Sequence, residues 1–381
     1  MAVVAVLYQV WELTRSPLWT GAIGVATAVP TIVLGLAGGT IADTFDRRRV
    51  VLLTSLGAVV SAGLLAAQAV AGIGSAVLVL VLVAAQTSCT ALGSASRRAF
   101  VPRLLPQEQV AAGVALDHVA FQVAMLAGPA VAGVVLARWG LGWAYTVDAV
   151  TILLSLYGVV RLPSMRPEGG AVRAGLRATG EGLAFLWRRP ALRGVLATDL
   201  AATVLAIPIA LFPMINQERF GGDPQTLGLF LTAVAVGGTA SGLLSGAVTG
   251  AARPGAVMLG SVGVWGLALA GFGLVDGHTA TLACLAVAGA ADTVSVISRG
   301  TLVQLGTPDG FRGRISSVEY AVGAGGPGLG DARAGLVASL VSASASAVSG
   351  GLACVLAVAV IAGTHPALRR WRRPDPAGDE A

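Results

Sequence analysis

Apolar residues run through this chain in stretches of about twenty, separated by short polar or charged seams. A helix rising 1.5 Å per residue needs about 20 apolar residues to cross roughly 30 Å of hydrocarbon. On that measure the pattern predicts twelve crossings, at approximately 1–13, 20–42, 50–71, 74–95, 112–137, 142–161, 192–215, 225–249, 255–275, 279–302, 314–339 and 343–362. The runs are continuously apolar and do not alternate, which excludes a transmembrane β-barrel. The first run, "MAVVAVLYQVWEL", reaches only about 20 Å as a helix. A start codon assigned too late, with half a helix encoded upstream, is expected in preference to a natively stunted helix.

Composition sharpens the picture. Hydrophobic residues make up 55% and charged residues 12%, and mean hydropathy is +0.80, too apolar for the surface of a soluble protein of this size. The net charge of +6 does not point to nucleic acid, because its arrangement has another meaning. All 25 basic residues are arginine, and 21 of them fall in six seams that alternate onto one side: 43–49, 96–111, 161–193, 250–254, 299–314 and 363–381. Basic loops stay inside, so the linker, the seam "GGTIADTFDRRRV" and the C-terminal tail are expected in the cytoplasm and the chain in the cell membrane. No cleavable signal is visible, since apolar sequence starts without a basic leader.

The longest break, from Leu162 to Arg193, divides the chain near its middle, and "EGLAFLW" within it reads as an amphipathic helix on the inner membrane face. The halves repeat. A shift of 202 residues superposes Ser96-Arg97 on Ser298-Arg299, Pro106 on Pro308, Asp117 on Glu319, Gly128 on Gly330 and Gly133 on Gly335; a shift of 204 places Gly24 on Gly228 and Arg49 on Arg253. The expected organisation is a six-helix bundle over 1–161, a cytoplasmic linker over 162–191, a second bundle over 192–362 and an arginine-rich tail over 363–381. Parallel six-span halves are a transporter architecture, with the substrate path between them.

On these residues the chain resembles the major facilitator superfamily along its whole length. Gly39, Asp43 and the basic cluster Arg47, Arg48 and Arg49 are similar to the superfamily's signature between spans two and three, with Thr44 and Asp46 departing from it. "SRRAFVPRLLPQEQVAAGVAL" and "FRGRISSVEY" resemble the branch that includes siderophore and macrolide exporters. Gly128, Pro129 and Gly133 match part of the span-five antiporter motif, with Ala124 where a further glycine is usual; close helix packing by small residues explains the same pattern. The resemblance implies an all-α fold of two six-helix bundles. It also implies a latch in which Asp43 meets the start of span eleven, beside Arg312 and Arg314, with a topology anchor alone as the plainer account. By the repeat Asp43 falls on Ala247, so the latch would be one-sided.

Charges inside spans are costly and mark function. Glu12, Asp148, Asp199, Asp292, Asp331 and Arg333 stand inside predicted spans, and Asp117 and Glu319 lie about five residues in, at gate level. The resemblance implies that spans one, four, seven and ten line the cavity. Their polar positions are Tyr8, Gln9, Glu12, Gln86, Asp199, Asp292 and Ser295. Asp292 lies nearest mid-membrane, where burial disfavours the charged form of a carboxylate, and it is the first candidate for proton coupling, with Asp199 second. Asp331 and Arg333, two residues apart, do not share a helix face, and each is expected to find a partner on another span.

Cys89, Cys284 and Cys354 lack metal-ligand spacing, and the three histidines are scattered, His118 beside Asp117 among them. No nucleophile–histidine pair or phosphate-binding glycine loop is present in the sequence. No enzyme activity, cofactor or metal is expected. The expected function is export of a small amphipathic molecule, of drug or siderophore class, by alternating access in exchange for protons, by a monomer whose partners are substrate, protons and lipid. An importer or facilitator on the same fold, and a non-transporting receptor or regulator, remain open.

Overall fold

The computed structural model describes residues 1–98, 100–165 and 176–372, together with most of their side chains. Among the described residues there is helix and no strand, as a chain in hydrocarbon requires if every backbone group is to be satisfied locally. Among the described residues, nine helices are long and apolar enough to cross a membrane. One of them, Val110–Val160, turns at Gly140, whose φ of 81° only glycine adopts freely, and so makes two crossings, spans 5 and 6. The 13-residue helix Ala2–Thr14 and the more polar Asp309–Leu340 bring the spans to twelve.

Spans 2, 3 and 4 are Pro17–Thr44, Arg47–Val70 and Ala76–Arg98. Span 7 is broken: Pro190–Leu200 runs into a π-helical turn over Ala201–Leu205, and a bend at Pro208 leads to a 3₁₀ turn, Ile209–Leu211, before Phe212–Phe220. Proline at 208 and 213 accounts for the break, each removing a backbone donor. Spans 8 to 12 are Pro224–Leu243, Pro254–Leu274, His278–Gly306, Asp309–Leu340 and Ala343–Thr364. Spans 9, 10 and 12 lie within four residues of their predicted ranges, whereas span 8 ends six residues before 249 and span 11 starts five residues before 314.

The amphipathic linker helix is present as Leu176–Arg188. It docks on span 11 by stacking Phe185 on Phe311, with ring centroids 4.5 Å apart, and buries Leu186. At the arginine-poor end, Arg219 donates to the carbonyl oxygens of Phe272, Gly273 and Val275 and to the Ser344 hydroxyl. It thereby caps the open carbonyls that end span 9. Phe212, Phe230 and Phe272 pack edge to face beneath it at 5.4–5.8 Å.

Candidate functional site

Two crossings join the halves of the chain, and they are repeat-related. Gly133 of span 5 meets Gly228 of span 8 so closely that a methyl group on Gly228 would lie 2.6 Å from the Pro129 carbonyl oxygen. Gly24 of span 2 meets span 11 in the same way, where a methyl group would collide with the Gly328 carbonyl and sit 2.8 Å from Cβ of Asp331. Gly21 and Gly335 continue that contact toward the arginine-poor end, where Arg15 donates to Oε1 of Gln217 at 2.8 Å and ties span 1 to span 7. Toward the other end Leu116 and Val119 of span 5, Leu243 at the end of span 8 and Leu244 just beyond it are exposed. The molecule is thus closed over its arginine-poor half.

Charged side chains converge in the second half. Asp199 of span 7 is ion-paired to Arg299 of span 10, with side-chain exposures of 10% and 17%, low enough that neither charge is solvated by bulk water. Asp292, two turns from Arg299 on the same helix face, and Glu319 of span 11 both lie within electrostatic reach of Arg299 and Asp199. Asp292 and Val296 present accessible surface along this face, while Ser295 is buried. A small cavity brings Asp199, Arg299 and Glu319 together under Leu186 of the linker helix. Three carboxylates thus lie around one guanidinium.

The other predicted residues are placed differently. Glu12 sits two residues from the end of its helix and pairs with Arg15 at 2.8 Å, near the arginine-poor end. Asp117 is exposed and has no partner among the described residues. Glu319 lies deeper than expected because its helix begins at Asp309, about 15 Å away along the axis. Gln86 is half-buried on span 4. The side chains of Gly39's neighbours Ala42 and Asp43, and those of Arg312 and Arg314, lie outside the described residues, and the expected latch between them lies there too. Around it, Asp46 caps span 3 through the backbone N–H groups of Arg48 and Arg49, and accepts further bonds from the Ser164 hydroxyl and the Met165 N–H. Arg48 donates to the Val160 carbonyl at 2.6 Å. This part of the seam is therefore stapled to the end of span 6. Burial works against the Asp46 charge, but these bonds, first that of Ser164, outweigh it and hold the carboxyl below its usual range.

Some polar contacts had not been expected. Gln9 and Gln68 exchange amide hydrogen bonds at 3.0 Å, and Tyr145 donates to Oε1 of Gln9 at 2.7 Å, locking spans 1, 3 and 6. Asp148 accepts from the Ala2 N–H at 3.2 Å. Asp331 does find a partner on another span, the Ala210 N–H at 2.8 Å. Arg299 entered the sequence reading as an orientation charge, yet its spacing of seven from Asp292 would have put both on one face.

Against known families, residues 1–379 match the model of the transmembrane secretion effectors, a branch of the major facilitator superfamily. The chain belongs to that family. Among curated proteins, this major facilitator transporter is 26% identical to the enterobactin exporter EntS of Citrobacter koseri, over 99% of the chain and 91% of that protein. It is also 26% identical to the EntS of Escherichia coli O139:H28, over 98% and 89%. Solved structures share the fold: the nucleoside transporter NupG at a TM-score of 0.69 and 13% identity, covering 97% of this chain and 98% of that one. A bacterial homologue of the iron transporter ferroportin, in its inward-facing state, follows at 0.63 and 16%, covering 96% and 93%. The transporter is accordingly a multi-pass membrane protein of the major facilitator fold with exporters among its relatives.

Proposed function

We propose that this transporter exports a small amphipathic molecule, of drug or siderophore class, by alternating access coupled to inward proton movement. The observation that carries the coupling is the ion pair of Asp199 with Arg299, flanked by Asp292 and Glu319. A buried ion pair is retained at a cost, since desolvation offsets its attraction. Charges kept inside a membrane domain therefore point to transport. Asp292, accessible and at mid-helix, takes up and gives up the proton, and Asp199 shares Arg299 with it. In this reading residues 1–161 and 192–362 are the moving bundles, the arginine-rich end is cytoplasmic, and Asp43 with Arg312 and Arg314 latches that end when it closes. The relatives named as enterobactin exporters support export and a siderophore-sized cargo.

Everted vesicles carrying a pH gradient test it. Uptake of a candidate amphipathic compound should follow the gradient in the wild type. Asp292→Asn should abolish gradient-driven uptake and leave downhill exchange intact. Gradient-independent uptake would favour a facilitator, no substrate movement a receptor, and loss of driving in Asp199→Asn but not in Asp292→Asn would move the proton site to Asp199.

A further inference from the structure

Span 7 is the element that both ion-pairs with span 10 and ends at the closed gate, and its break leaves backbone donors to be satisfied. The N–H groups of Ile209 and Ala210 start the helical segment beyond Pro208 and have no carbonyl one turn earlier to meet them. In hydrocarbon such donors cost several kcal/mol if left bare. The second is met by a side chain from elsewhere: Asp331 of span 11 accepts from the Ala210 N–H at 2.8 Å, with the Ile209 N–H also turned toward that carboxylate. Span 11 also lies directly on the π-helical turn, where a methyl group on Gly330 would collide with the Thr203 carbonyl oxygen. On its opposite side Asp331 meets span 2 of the first half, at Gly24.

We propose that Asp331 is a positioning residue for transport: as the cap of the broken span 7, it selects the state closed at the arginine-poor end. The inference rests on the alternating-access reading above and deepens it. In the closed state Asp331 is wedged between the Gly24 face of span 2 and the break of span 7. The second part of span 7 carries Gln217, which receives Arg15 across the gate. When span 2 withdraws, the wedge is released on one side, and the half-helix from Phe212 to Phe220 is free to tilt about Pro208. The π-helical turn lies between the ion pair at Asp199 and this cap, so a change at either end is passed along a segment that can convert between π and α. The charged group facing Asp331 is Arg333 on its own helix, and among the described residues no other charged side chain acts on it. The repeat offers no counterpart, since the shift of 202 puts Asp331 on Pro129.

The full chain in vesicles, with its three native cysteines replaced, carries a single reporter thiol at Gln217→Cys for the closed end or Val296→Cys for the span 10 face. Removing a hydrogen bond to a charged group should raise the Gln217→Cys labelling rate about tenfold in Asp331→Ala, with a matching fall at Val296→Cys. Asp331→Asn keeps an acceptor oxygen but loses the charge, and should shift both rates about threefold. Where Asp331→Ala is not recovered in the membrane, Asp331→Asn decides. A purely structural cap would lower yield and thermal stability and leave the ratio of the two rates unchanged, which overturns the inference. Gly228→Ala, at the other crossing, serves as reference: if it shifts the ratio and the Asp331 variants do not, the cap inference fails alone. If none of them shifts it, alternating access fails as well.

Discussion

Gly228→Ala puts the crossing geometry to its sharpest test. A methyl group there would lie 2.6 Å from the Pro129 carbonyl oxygen and 3.0 Å from Cα of Gly133, and both neighbours are backbone atoms that cannot rotate away. Spans 5 and 8 would have to separate by several tenths of an ångström, and overpacking of this kind costs about 1–3 kcal/mol. The contact joins the two halves at the closed end, so the cost falls on the closed state and is relieved when that end opens. At about 1.4 kcal/mol per tenfold, the open population should rise by roughly 5- to 150-fold. Reaction of a lone thiol at Gln217→Cys with a membrane-impermeant maleimide reads that population. The control lies on the same helix: Gly242 has no atom within 4 Å of the position its methyl group would take, so Gly242→Ala should leave labelling unchanged. Equal labelling in the two variants would refute the claim that this glycine contact is a state-specific gate.

Two further changes probe the packing around the site. Tyr145→Phe removes a 2.7 Å bond to a buried amide whose oxygen still accepts from Gln68, and should lower stability by about 0.5–1.5 kcal/mol, seen as a fall in Tm in detergent with the direction of transport unaltered. Asp46→Ala removes the cap of span 3 and its ties to Ser164 and Met165, and should cost about 1 kcal/mol near neutral pH. Because the folded carboxyl titrates below its ordinary value, its contribution is complete above the ordinary carboxylate range and is lost as pH falls through the lowered value. The Tm gap between wild type and variant should therefore close on acidification; a gap that widens would contradict the sign.

Much of the architecture was written in hydrophobic run length. Twenty-residue runs can cross a bilayer in only one way, so span ranges such as 255–275 and 343–362 came within two or three residues of the helices found. The repeat shift from Gly24 to Gly228 was legible too, and the two glycines perform the same contact at the two crossings. Other features escaped, the first because it is tertiary. Glutamines look alike in a sequence whether they line a cavity or pair with each other, and nothing near Gln9 announces Gln68 fifty-nine residues on. The break in span 7 was hidden for a different reason: Pro208 and Pro213 are apolar, and a hydropathy run does not register a missing backbone donor. Asp331 was picked out as a costly charge, but its partner is a main-chain N–H, which carries no side-chain signal.

The distribution of symmetry and charge suggests a division of labour between the halves. The crossings of span 5 on span 8 and of span 2 on span 11 are built from glycines on repeat-related positions, so the two interfaces can loosen and close together. The partners of the charges do not follow the repeat. Arg97, the counterpart of Arg299, donates to the hydroxyls of Ser55 and Ser155 and is held by neutral partners, whereas Arg299 is shared among carboxylates. Pro129 holds the position that Asp331 holds in the second half. If the two crossings move together, as the proposed reading requires, carboxylates gathered in one bundle are enough to bias the motion. On the proposed reading, protonation acts on span 7 through Asp199 and Asp292, and the first half follows through its glycine contacts. Moving the ion pair out of the second half, by Asp199→Asn with Arg299→Gln, should then leave a transporter that still alternates but no longer responds to a pH gradient.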